Sequence, residues 1–155
     1  MKTRWLDRRI ALPGPYLALC LSESEFTAAT KHLRIADPGP WIKNAHSHAT
    51  THFFRLPGKP PAAVVSLADW QGREPVEVAG LLIHEAVHIW QRYAEDMGED
   101  RPGDEQEAYA VQAIAQELLA EFSRRITAAA PTSRIRRTPG SSRAASRRCA
   151  PTSRA

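Results

Sequence analysis

Two histidines four residues apart, with a glutamate directly after the first, stand in the run LLIHEAVHIWQ as His84-Glu85-Ala86-Val87-His88. On a helix, positions i and i+4 share a face one turn apart, so both imidazoles can reach a single ion. Glu85 is rotated only about 100° from His84, where its carboxylate can meet a metal-bound water. Zinc accepts nitrogen and oxygen donors with one position left open, and it lowers the pKa of its bound water to about 7. A neighbouring carboxylate then takes the proton as the water attacks a carbonyl. The spacing therefore implies hydrolysis with Zn2+ as cofactor, His84 and His88 as ligands and Glu85 as general base.

From the His and Glu frequencies of this chain, a stray H-E-x-x-H should arise roughly one to two times in a hundred, so its surroundings decide. Pro75, Val76, Val78, Ala79, Leu81, Leu82, Ile83, Ala86, Val87, Ile89 and Trp90 describe an apolar helix starting at Pro75 and stopping near Gly98. Both histidines are expected inside this helix, largely buried. A buried histidine needs a partner for each ring nitrogen, which a metal and a hydrogen-bond acceptor behind it supply.

A third ligand is expected on a second helix, for which the chain offers GDEQEAYAVQAIAQELLAEF at 103–122. Asp104 is positioned as its N-cap, with Glu105 and Glu107 in the first turn where the helix dipole favours acids. An apolar stripe follows at Ala108, Val111, Ala115, Leu118, Leu119 and Phe122. Glu105 and Glu107 lie about 200° apart around the axis, so only one of them can face a metal.

With these residues in place, the chain resembles the zincins of the gluzincin type, in which H-E-x-x-H on one helix is completed by a glutamate on the next. More narrowly, LLIHEAVHIWQ followed by EQEAYAVQ is similar to small phage- or prophage-encoded metallopeptidases, over about residues 41–122. The resemblance implies a ligand glutamate with a small residue one turn on, a pattern that Glu105 with Ala108 and Glu107 with Ala110 both satisfy. Spacing from His88 favours Glu107. The residue four positions on favours Glu105, since Tyr109 could hydrogen-bond a ligand histidine whereas Val111 could not. Tyr109 and Asp104 are thus the candidates for supporting the ligands, and the reading leans to Glu105 with Glu107 as the alternative.

Length and charge bound the rest. A chain of 155 residues allows one domain. No apolar run approaches the roughly 18 residues of a membrane-spanning helix, so no membrane partner is expected. Residues 1–121 hold 12 Lys and Arg against 17 Asp and Glu, while residues 122–155 hold nine Arg and no acid. The domain is expected over 1–125. The Ala/Ser/Pro/Arg-rich stretch 126–155 is expected as a disordered basic tail, because it has too few apolar residues to offset its ordering entropy. No aromatic residue interleaves with the tail arginines, so nucleic acid is not the expected partner. Cys20 and Cys149 are too few for a disulfide framework and fit a reducing, cytoplasmic location. The basic start followed by apolar residues is broken by Pro13-Gly14-Pro15 and lacks an export cleavage pattern.

Elsewhere, Tyr16 to Leu21 reads as extended, and Ser22-x-x-Glu25 opens a helix to about Leu33. Residues 49–56 and 62–67 form a hairpin-like β pair around Pro57-Gly58-Lys59-Pro60-Pro61. The expected fold is α+β, a small antiparallel sheet packed on the metal-bearing helix pair. His46, His48 and His52 share one face of an extended segment, but with no carboxylate or cysteine among them they are not expected to form a second metal cluster. One of them, or Tyr93 or Tyr109, could stabilise an oxyanion. The expected activity is peptide-bond hydrolysis on a peptide or protein substrate. The alternatives are a catalytically idle zincin-like binding protein and a basic-tailed nucleic-acid binder.

Overall fold

The structure, a computed structural model, describes residues 4–6 and 15–129. The chain runs β1 (Trp5–Leu6), β2 (Tyr16–Cys20), α1 (Glu23–Leu33), β3 (Ala49–Phe54), β4 (Ala62–Leu67), a 3-10 turn at Trp70–Gly72, α2 (Pro75–Met97) and α3 (Asp104–Ala129). The architecture is α+β, and the four strands form one sheet in the order β1-β2-β4-β3. β3 and β4 pair antiparallel, Ala49 opposite Leu67, as their flanking turn residues lead one to expect. The sheet is nevertheless mixed and not wholly antiparallel, because β2 pairs parallel to β4. These two strands are buried along nearly their whole length. Such continuous apolar runs belong to central strands covered on both faces, where helices close the crossover between parallel neighbours.

Pleating splits the strands between two layers. Leu17, Leu19, Ala63, Val65 and Leu67 face α2 and α3, where Val78, Leu82, Ala86, Ile89, Trp90, Ile114, Leu118 and Phe122 complete the main core. Ala18, Cys20 and Val64 face α1 and meet Phe26 and Ala29. Each large side chain so buried contributes roughly 1.5–3 kcal/mol. Burial in this second layer pushes the Cys20 thiol up to about 12, helped by the nearby Glu25 carboxylate, so Cys20 is an inert apolar filler.

Local chemistry sets the helix ends. Ser22 Oγ accepts from Glu25 N–H, while the Glu25 carboxylate reaches back to the N–H of Leu21 at 2.9 Å. α1 ends at Arg34 in the left-handed region. Pro75 opens α2, the Glu77 carboxylate accepts from Glu74 N–H at 3.0 Å, and Gly98 closes the helix at φ 74°. Asp104 is the first residue inside α3, not its cap; the first bonded turn closes from Glu107 N–H onto Gly103 O. α3 also passes the expected domain end at Arg125 and runs to Ala129. Ile126, one turn beyond Phe122, still packs on the core, and Arg125 is ion-paired to Glu25 and donates to Leu19 O at 3.1 Å. The remainder of the expected basic tail, 130–155, lies outside the described residues. Among the described residues no helix is long and apolar enough to cross a membrane.

Candidate functional site

α2 is amphipathic rather than buried all round. Val78, Leu82, Glu85, Ala86, Ile89, Trp90 and Tyr93 form its inward stripe, and Ile83 is exposed. His84 and His88 sit beside that stripe, about 100° and 60° around the axis from Glu85. The expectation of buried histidines is therefore wrong: both are exposed, and both line a cleft of about 670 Å³ between α2 and β3. Their Nε2 atoms converge to 3.0 Å, with the rings edge to face. Two nitrogens held about 2.0–2.1 Å from one tetrahedral ion would stand about 3.3 Å apart, so this pair fits a two-point grip on a metal with little adjustment.

Glu85 occupies the inward side of the same turn. It is only 5 % exposed and still lines the cleft. Among the described residues no hydrogen bond or ion pair occupies its carboxylate, whose oxygens keep contact with the open cleft. A group so placed has its lone pairs free for a water or substrate in the cleft.

The other wall is β3. It is the edge strand of the sheet, and every residue from Ala49 to Phe54 lines the cleft. Ala68 N–H donates to His48 O at 2.8 Å, so His48 belongs to a hydrogen-bonded pair. In an antiparallel ladder such pairs alternate, and the backbone groups of Ala49, Thr51 and Phe53 therefore point away from β4 into the cleft. Thr51 Oγ1 is buried there without a partner.

The His52 side chain turns to the other face of β3, where its ring stacks near Phe54 and tilts against Phe26, with Nε2 3.0 Å from the carbonyl of Trp41. A carbonyl only accepts, so Nε2 carries the proton. Burial pushes the His52 pKa down, against the opposing pull of the Trp41 carbonyl, and the ring is neutral at pH 7. Its free Nδ1 is then an acceptor, which removes His52 as an oxyanion donor. It instead pins the 34–48 connection to the sheet. His46 is exposed in a turn, and His48 Nδ1 is 3.9 Å from Asp69, so the three histidines do not meet.

The α3 candidates are not brought to this site. Glu105 and Asp104 are exposed, and Glu107 is half-buried. None of the three lines the cleft, and among the described residues no group of three or more His, Cys, Asp or Glu side chains is gathered as a metal cage. Tyr109 is 66 % exposed and does not support a ligand histidine. Tyr93 is buried in the core near Trp90, away from the cleft lining. Helical phase separates the two acids: Glu107 lies three and seven residues before the buried Ala110 and Ile114, on the inward stripe, and Glu105 points outward.

Two cleft residues escaped the sequence reading. Arg92 repeats the four-residue interval after His84 and His88, a signal legible in the chain. Lys43 arrives from the 34–48 connection, with its N–H donated to Thr50 Oγ1 at 3.3 Å, a contact no local pattern announces. The chain matches no family model, no curated protein and no solved structure.

Proposed function

We propose that this chain is a metal-dependent peptidase in which His84 and His88 hold zinc and Glu85 is the general base. The observation that carries the reading is the 3.0 Å convergence of the two Nε2 atoms in one cleft with the Glu85 carboxylate, which has no partner among the described residues. Bound zinc supplies an acidified water and a polarised carbonyl. Glu85 accepts the proton of the attacking water and delivers it to the leaving amine. His84 and His88 are the protein donors of this reading; among the described residues no α3 acid lines the cleft, so the remaining positions would fall to water and substrate.

Peptide is the favoured substrate because one wall of the cleft is a strand edge that no other described strand pairs. The outward N–H and C=O groups of Ala49, Thr51 and Phe53 are the complement of an extended chain, which would add as a further strand. The resemblance of LLIHEAVHIWQ to the zincins points the same way.

The test is Glu85→Gln, which keeps the size of the side chain and removes the proton acceptor. Hydrolysis of an unstructured protein such as casein should fall by at least about 10²–10⁴-fold, with zinc content unchanged. Undiminished hydrolysis would refute the role of Glu85.

A further inference from the structure

We infer that the cleft selects peptides carrying a carboxylate near the bond to be cut, and that Lys43 and Arg92 hold that carboxylate. The inference rests on the peptidase reading for the path of the peptide along β3.

The first support is charge. The described residues carry 11 Lys and Arg against 16 Asp and Glu, a net of −5. The cleft reverses that balance: among the described residues two permanent cations, Lys43 and Arg92, line it against the single acid Glu85. Cations concentrated in a concave site on an acidic fold draw anionic ligands to that site and repel basic ones.

The second support is that these cations are placed and available. Among the described residues the Lys43 ammonium has no ion-pair or hydrogen-bond partner. Its backbone is tied to β3 through Thr50 Oγ1, and two residues earlier Trp41 O is held by His52. The ammonium is close enough to push the His52 pKa down while Glu85 pulls it up, so all three groups act within one local field. Arg92 lies on the His84–His88 face of α2, about 6 Å along the axis past His88. That is about two residues of extended chain. Its partner Glu95 is 2.9 Å away, but both side chains are more than half exposed, and such a pair yields readily to a competing carboxylate. The guanidinium fork can then take the substrate carboxylate in two parallel hydrogen bonds. Phosphate could answer the same cations, but the strand edge recognises a peptide backbone, and Glu85 disfavours a polyanion within the cleft.

Binding tests this without requiring turnover. Fluorescence anisotropy on the full chain with metal chelated would compare two labelled hexapeptides differing only in Glu against Gln at the third position. The Glu peptide should bind at least about tenfold more tightly at low salt, a charge-assisted preference that Lys43→Gln and Arg92→Gln each reduce severalfold and Lys43→Glu reverses. Circular dichroism checks that each variant is folded. Equal affinities, absence of binding by either peptide, a preference untouched by all three variants, or tighter binding of a single-stranded oligonucleotide would each overturn the inference. Because the readout needs neither metal nor hydrolysis, a failed peptidase assay beside a preserved Glu preference would reject the catalytic reading and leave the recognition standing.

Discussion

His52 donates its Nε2 proton to the carbonyl of Trp41 at 3.0 Å, and through that one bond the 34–48 connection carrying Lys43 is held against the edge strand. His52→Phe keeps a ring beside Phe26 and Phe54 but leaves the carbonyl without its donor. The expected cost is about 1–3 kcal/mol, read as a lower urea midpoint with an unchanged slope.

Acid should weaken the fold in two steps. Burial lowers the His52 pKa in the folded chain, so the unfolded chain binds the extra proton first. Stability from this group is complete above about pH 6.5 and is lost as pH falls from there towards the folded value. Glu121 behaves as a paired acid. Burial pushes its carboxyl up, but the hydrogen bonds and charges of Arg124 and Arg4 outweigh burial and hold it low. Its contribution is present above about pH 4.5 and disappears below. Thermal melts between pH 8 and 3 should show both declines, and His52→Phe should abolish only the first.

Arg125 joins α3 to α1 through Glu25 and to β2 through Leu19 O, and both members of the ion pair are largely buried. Removing one partner strands a charge. Arg125→Met should cost about 2–4 kcal/mol, and the double change with Glu25→Gln should recover part of that loss. An additive double mutant in denaturant titrations would show that the pair is not coupled.

If a peptide adds to β3, the outward N–H of Thr51 is one of its anchors. Thr51→Pro deletes that donor while sparing the ladder to β4, since proline is tolerated on an edge whose N–H faces away. Peptide affinity should fall at least about fivefold, from one lost hydrogen bond, with little change in melting temperature. Unchanged affinity in a folded variant would place the peptide elsewhere.

Much of this was legible in the sequence wherever backbone chemistry is local. Pro75 and Gly98 bound α2, Ser22 and Glu25 open α1, and the turn at 57–61 separates β3 from β4. The parallel pairing of β2 with β4 was not legible, because it joins strands distant in sequence and depends on α1 covering the far face. The apolar surroundings of His84 and His88 suggested burial, whereas the stripe is phased so that they flank it and open to the cleft. The interval from His88 to Arg92 repeats that from His84 to His88 and was there to be read. Lys43 depends on a long-range anchor and was not. Phase also bears on the α3 acids, since counting back from Ala110 and Ile114 sets Glu107 inward and Glu105 outward.

The central claim is that His84 and His88 together hold a metal, and elemental analysis of the purified full chain after zinc loading and exhaustive dialysis tests it most directly. About one zinc per chain is expected. It should be lost in His84→Ala and His88→Ala and retained in Glu85→Gln, Glu105→Ala and Glu107→Ala, since neither α3 acid lines the cleft. A folded wild-type chain that retains no zinc, or a bound ion indifferent to both histidine substitutions, would contradict the claim.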